Sequence, residues 1–177
     1  MSLLKKFSLL FLLFIYPFIL LGQECNSAIL ASTSHLYDNG NGTINDPKTG
    51  LVWKKCNEGE IWNSANNSCN GSADTFTWQN ALQRAQAINN SNVGENLGKT
   101  DWRLPNIKEL ASIVELKCYK PSINLSLFPT TVSWMYWSSS SVANGSNYAW
   151  YVNFNYSNDS RNYKNLSFSV RLVRSGQ

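Results

Sequence analysis

The sequence predicts an exported α+β domain, and three observations carry that prediction. Two segments in the middle of the chain place apolar residues at helical spacing, while the last third alternates apolar and polar residues as strands do. An apolar run behind a pair of lysines opens the chain. Four cysteines, an even number, follow it.

The opening run sets the compartment. Lys5 and Lys6 form a basic n-region, and "FSLLFLLFIYPFILL" is an apolar stretch of 15 residues ending at Leu21. A bilayer span needs about 20 residues, so residues 1–22 read as a signal peptide, with Gly22 the small residue at the cleavage site. An uncleaved N-terminal anchor is the alternative. A lipid anchor on Cys25 is another, opposed by Glu24 where a small residue is expected. These are the only routes to a membrane, and each exports the remainder to a secreted, periplasmic or outer-surface location. Residues 23–36 then form an N-terminal segment and residues 37–177 one domain, long enough for its own core. Without Lys5 and Lys6 the formal net charge falls from +4 to +2, which leaves no footprint for nucleic acid. Seven Trp, eight Tyr and eight Phe among few charges point to an aromatic core rather than disorder.

In an exported chain Cys25, Cys56, Cys69 and Cys118 read as two disulfides, with three connectivities open. Cys56 and Cys69 bracket "NEGEIWNSANNS", a polar loop poorly able to order itself. A bridge across so short a loop is worth about 3 kcal/mol in the chain-entropy model. That pairing leaves Cys25 with Cys118. Zinc is a poor rival, because there is no C-x-x-C spacing and His35 is the only histidine. The expectation is a chain without metal or cofactor.

Along the domain, "HLYDNGNGTINDPKTGLVWKKC" reads as strands broken by two turns, "DNGNG" and "DPKTG". The Asp and Asn oxygens of "DNGNGT" would suit calcium, but the closing Glu of a calcium loop is missing and a hairpin turn is the better reading. "TWQNALQRAQAINNS" is a helix capped by Thr77, with Trp78, Ala81, Leu82, Ala85 and Ile88 on one face. In "DWRLPNIKELASIVE", Pro105 holds Leu104 extended, and Asn106 with Glu109 forms a capping box. Ile107, Leu110, Ala111 and Val114 make that helix's buried stripe. Asp101, Trp102 and Arg103 remain, read as a buried, hydrogen-bonded brace rather than a ligand-facing patch. "MYWSSSS", with Trp137, is a strand. "YAWYVNFNY" is another, with Tyr148, Trp150, Val152, Phe154 and Tyr156 inward, and "SFSVRLVR" a third, with Phe168, Val170 and Leu172 inward and Arg171 outward.

"GTINDPKTGLVWKKC", "TWQNALQRA", "DWRLPNIKELASIVE", "YWSSS", "AWYVNF" and "VRLVRSGQ" stand in the order typical of the Lcl C-terminal domain family, which the chain resembles from about Tyr37 to Gln177. That family is named for the end domain of a bacterial collagen-like adhesin. The collagen-like repeat is missing here, so the trimer it would enforce is not implied and the oligomeric state stays open. "DWRLPNIKEL" and "VRLVR" also resemble stretches of the formylglycine-generating, sulfatase-modifying family. Both resemblances imply a C-type-lectin-like fold: two helices beside a twisted, mostly antiparallel sheet, with the termini drawn together. The oxidase chemistry of the second family uses late cysteines, and no cysteine follows Cys118 here.

An enzyme requires a positioned base, nucleophile or metal. His35 stands apart from the motifs, and the serines lack a His–Asp partner set. The carboxylate pairs Glu58 with Glu60 and Glu109 with Glu115 would serve a glycosidase, but they read as solvated charges and, for Glu109, a helix cap. A binding module is the expectation, not an enzyme. The adhesin resemblance implies recognition of sulfated or other anionic glycans. Arg161 and Lys164, with Tyr156 and Tyr163 beside them, are the residues to carry it: cations for sulfate, rings for stacking on a sugar. Arg171 and Arg174 lie in the closing motif and read as braces of the fold. A cell-envelope structural role without glycan binding is the rival.

Overall fold

The computed structural model describes residues 22–91 and 95–176; the apolar opening run lies outside them. In chain order the elements are β1 (Glu24–Cys25), β2 (Tyr37–Asp38), β3 (Thr43–Asp46), β4 (Leu51–Lys54), β5 (Glu60–Asn63), β6 (Ser68–Gly71), β7 (Thr75–Phe76), α1 (Trp78–Asn89) and α2 (Ile107–Ser112). The rest is strand: β8 (Cys118–Tyr119), β9 (Met135–Val142), β10 (Gly145–Asn153), β11 (Asn158–Tyr163), β12 (Phe168–Ser169) and β13 (Val173–Ser175). The architecture is α+β, mostly sheet with two helices.

The two expected turns build one sheet, ordered β13-β4-β3-β2 and antiparallel throughout. Gly42 is needed in the first turn for two reasons. Its φ is 84°, and a Cβ there would meet the Trp62 ring at 2.6 Å. A second sheet runs β11-β10-β9-β12-β7, antiparallel except where β12 lies parallel to β9. β5 and β6 pair as a separate hairpin, and β1 pairs β8. Disulfides join Cys56, in the bend after β4, to Cys69 of β6, and Cys25 of β1 to Cys118 of β8.

Strand β4 is buried on both faces and divides the core in two. Trp53 packs with Ile44, Leu110, Ile113, Phe128 and Phe154, whereas Val52 packs with Ala85, Ile88, Trp102, Trp137 and Leu172. Helix α1 starts where Thr77 accepts the Asn80 N–H and buries Ala81, Ala85 and Ile88, with Trp78 and Leu82 partly covered. Helix α2 has the expected capping box but stops at Ser112. Ala111, expected in the buried stripe, is exposed within the helix; beyond Ser112 helical phase is lost and Ile113 takes a place in the core beside Val114.

Three strand readings need correction. β11 is a strand although its sequence, "NDSRNY", lacks apolar alternation; pairing with β10 across a four-residue turn makes it one. In β10 the register against β9 shifts between Ala149 and Tyr151, so Ala149 is buried and Tyr148 and Trp150 are half-buried. Tyr156 lies past the strand and is exposed. The expected last strand is two strands in different sheets, β12 and β13. The crossing residues Val170, Arg171 and Leu172 have protein on every side, and Arg171, expected outward, is 0% exposed. Among the described residues no helix is long and apolar enough to cross a membrane.

Candidate functional site

The carboxylates that a hydrolase would need are occupied. Glu58 and Glu60, expected as solvated charges, are buried. Glu58 accepts from Lys54 Nζ at 2.7 Å and Arg84 Nε at 2.8 Å. Arg84 reaches on to Glu95 at 3.0 Å. Glu60 accepts from the Asn57 side-chain amide at 3.0 Å and the Thr130 hydroxyl at 2.7 Å. Arg171 completes the network, donating to the carbonyls of Lys54 and Lys55, to Asn57 Oδ1 at 2.7 Å and to Thr131 Oγ1 at 2.9 Å. Its plane lies over Phe128, 4.7 Å from the ring centroid. Tyr136 donates to the same Asn57 oxygen, and burial pushes its hydroxyl up to about 12. Glu58 is paired with two cations, whereas Glu60 and Arg171 are each held by hydrogen bonds with neutral groups, the two ways in which buried ions are tolerated.

Glu109 and Glu115 are also engaged. Glu109 receives the guanidinium of Arg103 through two contacts of 2.7 Å, and that pairing holds its carboxyl below the usual range. Glu115, also expected as solvated, is buried under the N-terminal segment and accepts from Ser32 and Thr33. His35 lies 3.4 Å from Asp46. The "DNGNGT" oxygens hydrogen-bond within their own turn, through Asn39, Thr43 and Asn41, while Asp38 takes Lys55. Among the described residues no group of three or more His, Cys, Asp or Glu is placed to hold a metal ion.

The structural motif is built as follows. Trp102 is 2% exposed, and its indole N–H donates to Asn96 O at 2.7 Å. Asn89 brackets its backbone, accepting its N–H and donating to its carbonyl. Asp101, read as part of a buried brace, is exposed and takes Arg174 at 3.1 Å. Pro105 is buried and its carbonyl accepts the Ser139 N–H, which fixes the motif against β9. Trp137 stacks on Phe168 with centroids 4.2 Å apart. Trp150 is half-buried, sits across from Arg161 and accepts the Ser138 hydroxyl on its carbonyl.

Of the four expected ligand residues, two share a site. Tyr163 and Lys164, with Asn147 and Asn165, line an open cleft of about 310 Å³ at the end of the β10–β11 ladder away from the connecting turn. The Lys164 amine sits 4.2 Å from the centroid of Trp78 and donates to Ser146 O at 2.7 Å. Tyr163 packs on Tyr148, with centroids 4.4 Å apart. Arg161 is exposed one side-chain repeat along the same strand face and does not line the cleft. Tyr156 is not part of the site. It lies at the opposite end of β11, about 17 Å away at 3.4 Å per residue. Sequence reading missed Trp78, which helical spacing placed in the core, and it missed Asn147 and Asn165, which nothing marks among so many asparagines.

A second hollow of about 450 Å³ lies on the β5–β6 hairpin, against Ile61, Trp62, Asn63 and Asn70, and no charged residue lines it. The β10–β11 cleft has Lys164 in its lining and no carboxylate, so of the two it is the one suited to an anion.

No curated protein matches the chain. The family model described as Lcl C-terminal domain matches residues 42–174, from the first turn into β13. With that span matched, the chain belongs to the Lcl C-terminal domain family.

Proposed function

We propose that this chain is an exported binding module of the surface-adhesin type, not an enzyme, and that it takes an anionic glycan at the β10–β11 cleft. The observation that carries the reading is the Lys164 amine resting on Trp78 beside Tyr163, in a cleft without a carboxylate. The amine has further donors for a sulfate or carboxylate. Tyr163, 51% exposed, offers a ring face for a sugar, Asn147 and Asn165 offer amides for its hydroxyls, and Arg161 adds a flanking charge. Two disulfides and membership of the family fit a non-cytoplasmic, surface protein. The C-type-lectin-like class belongs to the same proposal. It is supported by β13 returning to pair with β4, which draws the end of the domain to its beginning.

The test is heparin retention of the oxidised mature protein across a salt series. Wild type is expected to bind at low salt and to elute as salt rises, because exposed charges are screened within about 8 Å at physiological ionic strength. Lys164→Ala and Arg161→Ala/Lys164→Ala should elute earlier with folding intact. Tyr163→Ala should weaken retention with less change in its salt dependence, since stacking is not primarily ionic. Wild type that passes through at low salt defeats the glycan reading and favours an envelope structural role.

A further inference from the structure

Strand β11 is an edge of the five-stranded sheet. Which of its backbone groups face outward follows from two hydrogen bonds. The Lys164 N–H crosses the ladder to Asn147 O at 2.8 Å. The register is regular from Tyr148↔Tyr163 to Asn153↔Asn158, so residues 158, 160 and 162 also turn their N–H and C=O toward β10. Residues 159, 161 and 163 therefore turn theirs to the open side. Tyr163 agrees, because its N–H is taken by its neighbour's side chain, Asn162 Oδ1, at 2.9 Å. Asp159 and Arg161 are left with open backbone groups on the edge.

These two residues also carry the edge's charges. Both are exposed, and neither forms an ion pair among the described residues. A charged edge discourages pairing with an arbitrary strand. It does not discourage pairing with itself in one register. A two-fold axis through Ser160 sets Asp159 opposite Arg161 of a second copy, and Arg161 opposite its Asp159. Moving the axis to Asp159 or to Arg161 sets like charges face to face, which is destabilising. The Ser160 axis also places outward-facing residues opposite one another, as hydrogen-bonded pairs in an antiparallel ladder require. Backbone parity allows an axis through a residue of β11 and excludes one between residues, and charge favours Ser160 over its two neighbours.

We propose that a second copy of this chain docks antiparallel on β11 about a two-fold axis at Ser160, joining the two five-stranded sheets into one. The contact is isologous, so it closes as a dimer and does not propagate. The inference goes beyond the glycan reading and does not need it. Where both hold, the two clefts lie on one continuous sheet with their Tyr163 residues about 20 Å apart, at about 3.4 Å per residue along the paired strands. A chain-like ligand would then be held at two points.

The experiment is sedimentation equilibrium of the oxidised mature protein from micromolar to millimolar concentration. Wild type is expected to show a reversible monomer–dimer equilibrium. Asp159→Arg and Arg161→Asp, each setting like charges across the axis, should be monomeric where wild type is dimeric. The exchange variant Asp159→Arg/Arg161→Asp should dimerise again, because it inverts both pairs without removing them. Near-UV circular dichroism verifies that each variant is folded. Ser160→Cys gives an independent readout. Its two copies would face each other at a non-hydrogen-bonded position, with Cα atoms about 4.5 Å apart, within disulfide range, and mild oxidation should trap a covalent dimer. A wild type that stays monomeric together with Ser160→Cys that does not crosslink overturns the proposal. So does a folded exchange variant that fails to regain the dimer. Lys164→Ala should elute earlier from heparin and keep the dimer, which separates failure of the interface from failure of the cleft.

Discussion

Arg103 and Glu109 meet as a two-pronged pair, Nη1 on Oε2 and Nη2 on Oε1, both at 2.7 Å. The same carboxylate accepts the Asn106 N–H at 2.8 Å, so one side chain closes the capping box and holds the guanidinium of the preceding strand segment. The Arg103 backbone meanwhile exchanges both hydrogen bonds with Val173. The "DWRLPN" stretch thus ties the start of α2 to β13.

That geometry ranks three substitutions. Glu109→Ala removes the reciprocal cap and the fork, and should cost about 1–2 kcal/mol, in the range of lost caps plus a partly exposed pair. Arg103→Ala leaves the cap in place and should cost less, because its side chain is 43% exposed. Glu109→Gln should fall between them. Chemical denaturation midpoints measure all three, and an Arg103→Ala that costs more than Glu109→Ala would contradict the ranking.

Trp102 has the opposite balance, with almost no exposed surface and its polar atom satisfied. Trp102→Ala should cost roughly 3–5 kcal/mol, as large-to-small core changes do. Heparin retention of the fraction that remains folded should be unchanged, because the indole is not at the cleft. Unaltered thermal stability combined with lost retention would make the motif a ligand clamp instead.

Arg171 should be intolerant of its conservative replacement. Its fork reaches two backbone carbonyls, an amide oxygen and a hydroxyl at once, and a lysine has a single point of charge for those directions. Arg171→Lys and Arg171→Met should each destabilise by about 3–5 kcal/mol, the range for breaking a buried charge network. A Lys variant with wild-type unfolding would show that the charge alone matters and the fork does not.

What was readable in the sequence was local. Thr77 with Asn80, and Asn106 with Glu109, lie within one helical turn of each other, so caps and helices follow from spacing alone. Arg171 was misread because alternation describes a strand with one covered face. Here the chain crosses between two sheets and is covered on all sides by partners 40 to 117 positions away. Glu58 and Glu60 were misread for the same reason, since their partners Arg84 and Thr130 come from other elements. The cleft was half legible. Tyr163 and Lys164 are neighbours in sequence and share the cleft, whereas Tyr156 is separated from them by the length of β11, a strand whose polar sequence does not announce it.

The N-terminal segment should make the fold acid-sensitive. Ser32 and Thr33 lie before the family-matched span, yet they are pinned to the fold by Glu115, which is 1% exposed. Its Oε1 accepts the Ser32 N–H at 3.0 Å, and its Oε2 accepts the Thr33 N–H at 3.2 Å and the Thr33 hydroxyl. Burial alone would raise this carboxyl, but the hydrogen bonds from Thr33, Ser32 and Lys117 outweigh it and hold the carboxyl below its usual range. Glu109 is lowered too, chiefly by Arg103. A carboxyl depressed in the folded state binds its proton more readily when unfolded. Its contribution is therefore fully present above the unfolded value, about 4.3, and is lost as pH falls through the folded one. Stability should then be level near neutrality and fall below about pH 4. Glu115→Gln should be less stable than wild type at pH 7, and its loss on acidification should be smaller, since one titrating contact is gone. Hydrogen exchange at Ser32 and Thr33 should quicken in wild type as the pH falls, after correction for intrinsic rates, while the Cys25–Cys118 bridge keeps the segment's start attached. Denaturant midpoints from pH 7 to pH 2 supply the test, and an acid limb equally steep in Glu115→Gln would remove Glu115 as its source.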